Sequence, residues 1–201
     1  RCLTLNSGVG CHYNFINCAV AKARHKFFYA KFIGTQYCVG CANGLDALIW
    51  IFRAYKELGR LQPGDEILVP ANTFIATILA ITENDLRPVL IEPDPETLQI
   101  DETLIEQAIT PRTKAVMIVH YFGYPCDMDR IMEIANRHNL YVIEDVSHAH
   151  GSVYKGKKVG NFGHIAAMSM MSGKAWLALI PGRLVKNLIQ IPVDTVLHFC
   201  L

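Results

Sequence analysis

The sequence lacks long apolar runs and has almost no surplus of charge. Its longest apolar stretches, such as 75–81 and 115–119, fall far short of the roughly 20 residues that cross a bilayer. The formal net charge is +1, which leaves no excess of cations to neutralise a nucleic-acid backbone or an anionic lipid surface. We therefore expect a small-molecule partner, and we do not expect the chain to bind nucleic acid or a membrane.

The sequence gives no support for a secretory signal or for a cysteine framework. The chain does not start with an apolar stretch followed by a small-residue cleavage site, so a cytoplasmic location is expected. The seven cysteines include one close pair, Cys38 and Cys41, without a second pair to complete a zinc or disulfide site. This C-x-x-C sequence leaves a redox protein as an alternative, which would need an unusually acidic thiol.

The residues that are present predict one globular α/β domain. Hydrophobic residues make up 51% of the 201 positions and charged residues 18%, enough for a sizeable core. Helical and strand patterns alternate from residue 43, which predicts a three-layer α/β/α fold with a mostly parallel sheet. Asp101 and Asp127 are the expected N-caps of two helices, and 154–160 is an expected hairpin. The predicted helices cover 43–59, 73–83, 101–108 and 128–138, and the predicted strands cover 66–69, 88–91, 115–120, 141–145 and 165–169.

Polar residues stand where the predicted strands end. Ligands of open parallel sheets bind beyond the carboxyl ends of the strands, so Asp145 and Ser169 are expected at one edge. Gly44 opens the first helix, whose unpaired N–H groups and positive dipole end would accept a phosphate, although an ordinary helix cap is the alternative. Asp145 ends an apolar strand and needs a partner such as a pyridinium nitrogen; the alternative is a carboxylate that caps the next loop.

Lysine and histidine near this edge each have two interpretations. Lys174 lies in a small-residue turn that could return its amine to the edge, or it is an ordinary solvated lysine. His120, His148 and His150 suggest a metal site together with Asp145. An i, i+2 histidine pair in a loop does not define a closed site, and no further ligands stand at recognisable spacing. No metal is therefore expected.

Short motifs follow one another in a fixed order over residues 27–174. They are AKFIG at 30–34, YCVG at 37–40, NGLDAL at 43–48, PGDE at 63–66, VPANTF at 69–74, TPRTKA at 110–115, VHYFG at 119–123, IEDVSHAHG at 143–151 and the turn at 169–174. Their order and spacing resemble the DegT/StrS family of sugar aminotransferases. These are fold type I enzymes that use pyridoxal 5'-phosphate (PLP) and act on nucleotide-linked keto sugars.

The resemblance implies roles for individual residues around the cofactor ring. Lys174 would attach the cofactor covalently and later move a proton between cofactor and substrate carbons. Asp145 would keep the pyridine nitrogen protonated, so that the ring acts as an electron sink. Phe74 would stack on the ring, and His148 would contact its phenolic oxygen.

The resemblance also implies that Gly44, Leu45 and Ser169 hold the cofactor phosphate. Leu45 departs from the family, because many members have a threonine there whose hydroxyl helps to bind the phosphate, and only the backbone amide remains. Met170 and Met171 replace the aromatic residues that are common before the lysine turn, a change that affects packing more than chemistry.

The implied function is transfer of an amino group from an amino acid, expected to be glutamate, to a nucleotide-linked keto sugar in polysaccharide biosynthesis. Lys174 distinguishes this class from related PLP sugar dehydratases, which carry histidine at that position. The expected organisation is an N-terminal segment (1–26), a partial PLP-binding large domain (27–174) and a divergent tail (175–201). The tail replaces the family's second domain, so a truncated, catalytically inactive fragment that still binds PLP is the alternative. A homodimer is expected for the full-length family.

Overall fold

The computed structural model describes residues 28–169. Contacts divide the chain into two units, residues 1–40 and 41–201. In the first unit, residues 28–33 are helical. No helix within the described residues is long and apolar enough to cross a membrane. Lys174 and the predicted segments 1–26 and 175–201 lie outside the described residues.

The second unit alternates helices with strands, as predicted. The predicted elements match the structure to within two residues at each end, except that the helix predicted over 101–108 is divided into an α-helix and a 3₁₀ turn (Glu106–Ala108). The helices are α1 (Gly44–Glu57), α2 (Ile75–Thr82), α3 (Glu102–Ile105) and α4 (Met128–His138). The strands are β1 (Glu66–Pro70), β2 (Arg87–Ile91), β3 (Thr113–Val119), β4 (Tyr141–Asp145), β5 (Val153–Tyr154), β6 (Lys157–Lys158) and β7 (Ile165–Ala167).

Five strands form one parallel sheet in the order β2-β1-β3-β4-β7. Because successive side chains of a strand point to opposite faces, Ile67 packs with α1 and α2 on one face, while Leu68 packs with α3 and α4 on the other. Both faces are covered, and this is why β3 is apolar over nearly its whole length. The structure therefore confirms the predicted α/β fold with a parallel sheet between helices.

Side chains cap the starts of three helices. Asn43 accepts a hydrogen bond from the Asp46 N–H at the start of α1, and the predicted caps Asp101 and Asp127 accept from the first turns of α3 and α4. Asp127 also accepts from the Tyr154 hydroxyl at 2.7 Å. Tyr154 belongs to the β5-β6 hairpin, which confirms the predicted turn, so one carboxylate ties this hairpin to α4.

Candidate active site

A cavity of about 230 Å³ opens where β3 and β4 end and α1 and α2 begin. It lies within the second unit, at the carboxyl edge of the sheet where ligands of such folds bind. Its lining includes six of the seven predicted cofactor residues: Gly44, Leu45, Phe74, Asp145, His148 and Ser169. The seventh, Lys174, lies outside the described residues.

The start of α1 forms one wall of the cavity together with Ser169. Within residues 28–169, no hydrogen bond uses the N–H groups of Gly44 and Leu45, because the first N–H groups of a helix have no partner inside it. A Cβ atom added to Gly44 would lie 2.6 Å from the Cβ of Ser169. Glycine is therefore required for the helix start to approach this serine so closely. The wall combines two N–H donors and a hydroxyl, a set that suits an anion.

Asp145 ends β4 on the cavity side and is 8% exposed. Its Oδ1 accepts a hydrogen bond from the Ser147 N–H at 2.9 Å, so the loop-capping interpretation accounts for one oxygen. In the part of the chain that the structure describes, Oδ2 receives no hydrogen bond. A buried carboxylate with one oxygen to spare can accept from a cationic N–H donor in the cavity.

Glu144 precedes Asp145 and points to the opposite face of the sheet, because strand side chains alternate. It is 0% exposed and accepts four hydrogen bonds. Oε2 accepts from the His120 Nε2 at 3.1 Å and the Gly160 N–H at 2.7 Å, and Oε1 accepts from the N–H groups of Phe162 at 2.8 Å and Gly163 at 2.6 Å. Sequence reasoning did not single out this residue.

The electrostatics of Glu144 favour its charged form. Burial raises the pKa of its carboxyl, but the hydrogen bonds from His120, Gly163 and Gly160 outweigh burial and hold the pKa below its usual range. The Cys126 N–H donates to Nδ1 of His120 at 3.1 Å, so the hydrogen on Nε2 is the one donated to Glu144. Both ring nitrogens are thus engaged within the protein, and His120 cannot ligate a metal without breaking this network. No cluster of potential metal ligands occurs among residues 28–169.

Phe74, Tyr121 and His148 bring aromatic rings to the lining of the cavity. Phe74 is 58% exposed at the start of α2. His148 stacks on Phe122, with ring centroids 6.4 Å apart and planes inclined by 18°, and it lies 5.9 Å from the ring of Tyr121. Tyr121 and Ser147 also line the cavity, and sequence reasoning missed both. Each lies within two residues of a predicted strand-end residue, His120 or Asp145, which is the signal that could have found them.

The sequence matches the DegT/DnrJ/EryC1/StrS aminotransferase family over residues 24–185. The chain belongs to this family. It is 53% identical over 141 residues to the dTDP-3-amino-3,6-dideoxy-alpha-D-galactopyranose transaminase of Aneurinibacillus thermoaerophilus, a match that covers 70% of this chain and 38% of that enzyme. Several of its relatives are aminotransferases of nucleotide-linked sugars.

Solved structures of the family agree with the fold. An aminotransferase from Psychrobacter cryohalolentis has a TM-score of 0.71 and 38% identity, covering 75% of this chain and 37% of that one. A structure described as a sugar aminotransferase from Streptococcus pneumoniae, in its PLP form, has a TM-score of 0.71 and 27% identity over 75% of this chain and 41% of that one. The DegT/DnrJ/EryC1/StrS family uses PLP. The chain spans about two fifths of the length of the curated relatives it matches.

Proposed function

We propose that this chain provides the PLP-binding part of an aminotransferase that moves an amino group from glutamate to the ketone of a nucleotide-linked sugar. The main support for the proposal is that two features line the same cavity. One is the anion-binding wall formed by the start of α1 and Ser169, and the other is the buried carboxylate of Asp145. These two features suit the two polar ends of PLP, its phosphate and its pyridine nitrogen. Lys174 would attach the cofactor covalently, and the nucleotide sugar, the amino-acid donor and a second copy of the chain are the proposed partners.

The donor groups of the cavity fit the cofactor at both ends. The N–H groups of Gly44 and Leu45 and the side chain of Ser169 would hold the phosphate, because an anion is stabilised at a helix start. Oδ2 of Asp145 would accept from the protonated ring nitrogen. When bound, PLP supplies an electron sink for negative charge on the substrate carbon.

The remaining residues would orient the ring and move protons. Phe74, exposed at the cavity, would stack on one face of the ring, and His148 would contact the phenolic oxygen. The Lys174 amine would take a proton from the substrate carbon and deliver it to a carbon of the cofactor, and so act as a general base and then as a general acid.

Asp145→Asn tests the proposal. Asparagine keeps the size of the side chain and an oxygen for the Ser147 N–H, but it removes the charge that would face the ring nitrogen. PLP affinity, measured by titration of cofactor absorbance, is expected to fall about 10- to 100-fold, because hydrogen bonds to charged groups contribute roughly 1.5–3 kcal/mol.

The matched control is Asp101→Asn, which alters a helix cap away from the cavity and should leave PLP affinity unchanged. Equal affinities of Asp145→Asn and the unchanged protein would contradict the proposed cofactor site. A chain that binds PLP but gives no amino transfer with any nucleotide sugar would support the alternative, a PLP-binding fragment without turnover.

A further inference from the structure

Ser169 lies two residues beyond the last paired residue of β7, where the sheet no longer fixes the backbone. The last pair in this ladder is Asp145 with Ala167. Beyond it, Nε2 of His150 lies 2.9 Å from the carbonyl oxygen of Ser169. Within residues 28–169, no other side chain hydrogen-bonds to the Ser169 backbone. This bond ties the backbone of Ser169 to the loop that follows β4.

The chemistry of the contact defines the state of the histidine. A carbonyl oxygen can only accept, so Nε2 must carry the hydrogen. Burial lowers the pKa of His150, although the Ser169 carbonyl and the nearby Asp145 act in the opposite direction. The ring is therefore neutral near pH 7, and it acts on Ser169 through a hydrogen bond and not through a positive charge.

The position of Ser169 decides whether the anion-binding wall exists. The Cβ of Ser169 occupies the space directly beside Gly44, 2.6 Å from where a Cβ would be. If Ser169 moved away from Gly44, its hydroxyl would move away from the N–H groups of α1. The N–H groups of α1 and the Ser169 hydroxyl can bind one phosphate jointly only if all of them lie close enough to contact it at the same time.

We propose that His150 is a positioning residue, which holds Ser169 against the start of α1 and so sets the affinity of the site for the phosphate of the cofactor and not for its ring. This inference rests on the proposed function, because it takes PLP as the ligand. It assigns to His150 a role distinct from that of its neighbour His148, which lines the cavity itself.

The test compares His150→Gln with His150→Asn in the full chain. The amide nitrogen of glutamine can replace Nε2 of the histidine, whereas the shorter asparagine cannot reach the Ser169 carbonyl; both are neutral and polar. The dissociation constants of PLP and of pyridoxal, which lacks the phosphate, are measured for each protein. For His150→Asn, PLP binding is expected to weaken about tenfold, with pyridoxal binding unchanged, and His150→Gln is expected to stay close to the unchanged protein.

The other outcomes contradict either the inference about His150 or the proposed function. If His150→Asn keeps the preference for PLP over pyridoxal, or loses affinity for both equally, His150 does not position the phosphate site. If the unchanged protein binds both compounds equally, no phosphate-binding wall exists and the inference is wrong while ring binding stands. If the unchanged protein binds neither compound, the proposed function itself fails.

Discussion

Glu144→Gln is expected to lower the free energy of unfolding by about 2–6 kcal/mol, because it leaves two buried N–H donors without an acceptor. The carboxylate accepts four hydrogen bonds with no solvent exposure. A glutamine amide would turn its NH₂ group toward two of these donors in either orientation. Two N–H groups would then be buried without an acceptor, and each costs about 1–3 kcal/mol.

Urea or thermal unfolding measures this effect, with Glu133→Gln as the matched control. Glu133 makes ion pairs with Arg130 and Arg137 on an exposed face of α4, and such pairs contribute less than about 1 kcal/mol. Because the pKa of Glu144 is lowered in the folded state, its contribution is present above the unfolded pKa of about 4.3. It is lost as the pH falls through the folded value. Equal stability losses for the two variants at pH 7 would contradict the account of this network.

Gly44→Ala is expected to weaken PLP binding by about 100-fold. The reason is that two charge-assisted hydrogen bonds, from the N–H groups at the start of α1 to the phosphate, would be lost together. The new methyl group would stand 2.6 Å from the Cβ of Ser169, well inside the ordinary separation of two carbon atoms. Either α1 or Ser169 must move, and the wall of the cavity opens. Titration of the cofactor absorbance measures the loss.

Gly59→Ala controls for the general effect of replacing a glycine. An added Cβ at Gly59 meets nothing within 4 Å, but the residue has φ of +68°. Alanine there should cost about 1 kcal/mol of stability through backbone strain and leave PLP affinity unchanged. If Gly44→Ala bound PLP as well as Gly59→Ala does, the close approach at Gly44 would have no role in cofactor binding.

Most helices, strands and caps could be predicted because each is specified by residues that lie close together in the sequence. The apolar run of β3 and the caps Asp101 and Asp127 are visible in short stretches of sequence, and all three are confirmed. The break of the predicted helix 101–108 into α3 and a 3₁₀ turn was not predicted, since no proline or glycine marks it.

Contacts between distant residues could not be predicted from the same patterns. His120 and Glu144 are 24 residues apart, and His150 and Ser169 are 19 apart, so their pairing depends on strand order and register. The side of the sheet on which Glu144 lies could have been predicted. Adjacent residues of a strand face opposite sides, so a prediction that Asp145 faces the cavity also places Glu144 on the other face of the sheet. The gathering of six predicted cofactor residues at one cavity follows from the parallel sheet, and their roles toward PLP remain predictions.

Borohydride reduction of the chain with PLP, followed by mass spectrometry of its peptides, identifies the residue that holds the cofactor. Reduction makes the attachment of the cofactor to a lysine amine permanent, so the modified residue can be read from the peptide masses. One modified site, Lys174, is expected, with no modification of that peptide in Lys174→Ala. Modification spread over exposed lysines such as Lys155 and Lys157, or no modification at all, would contradict this expectation.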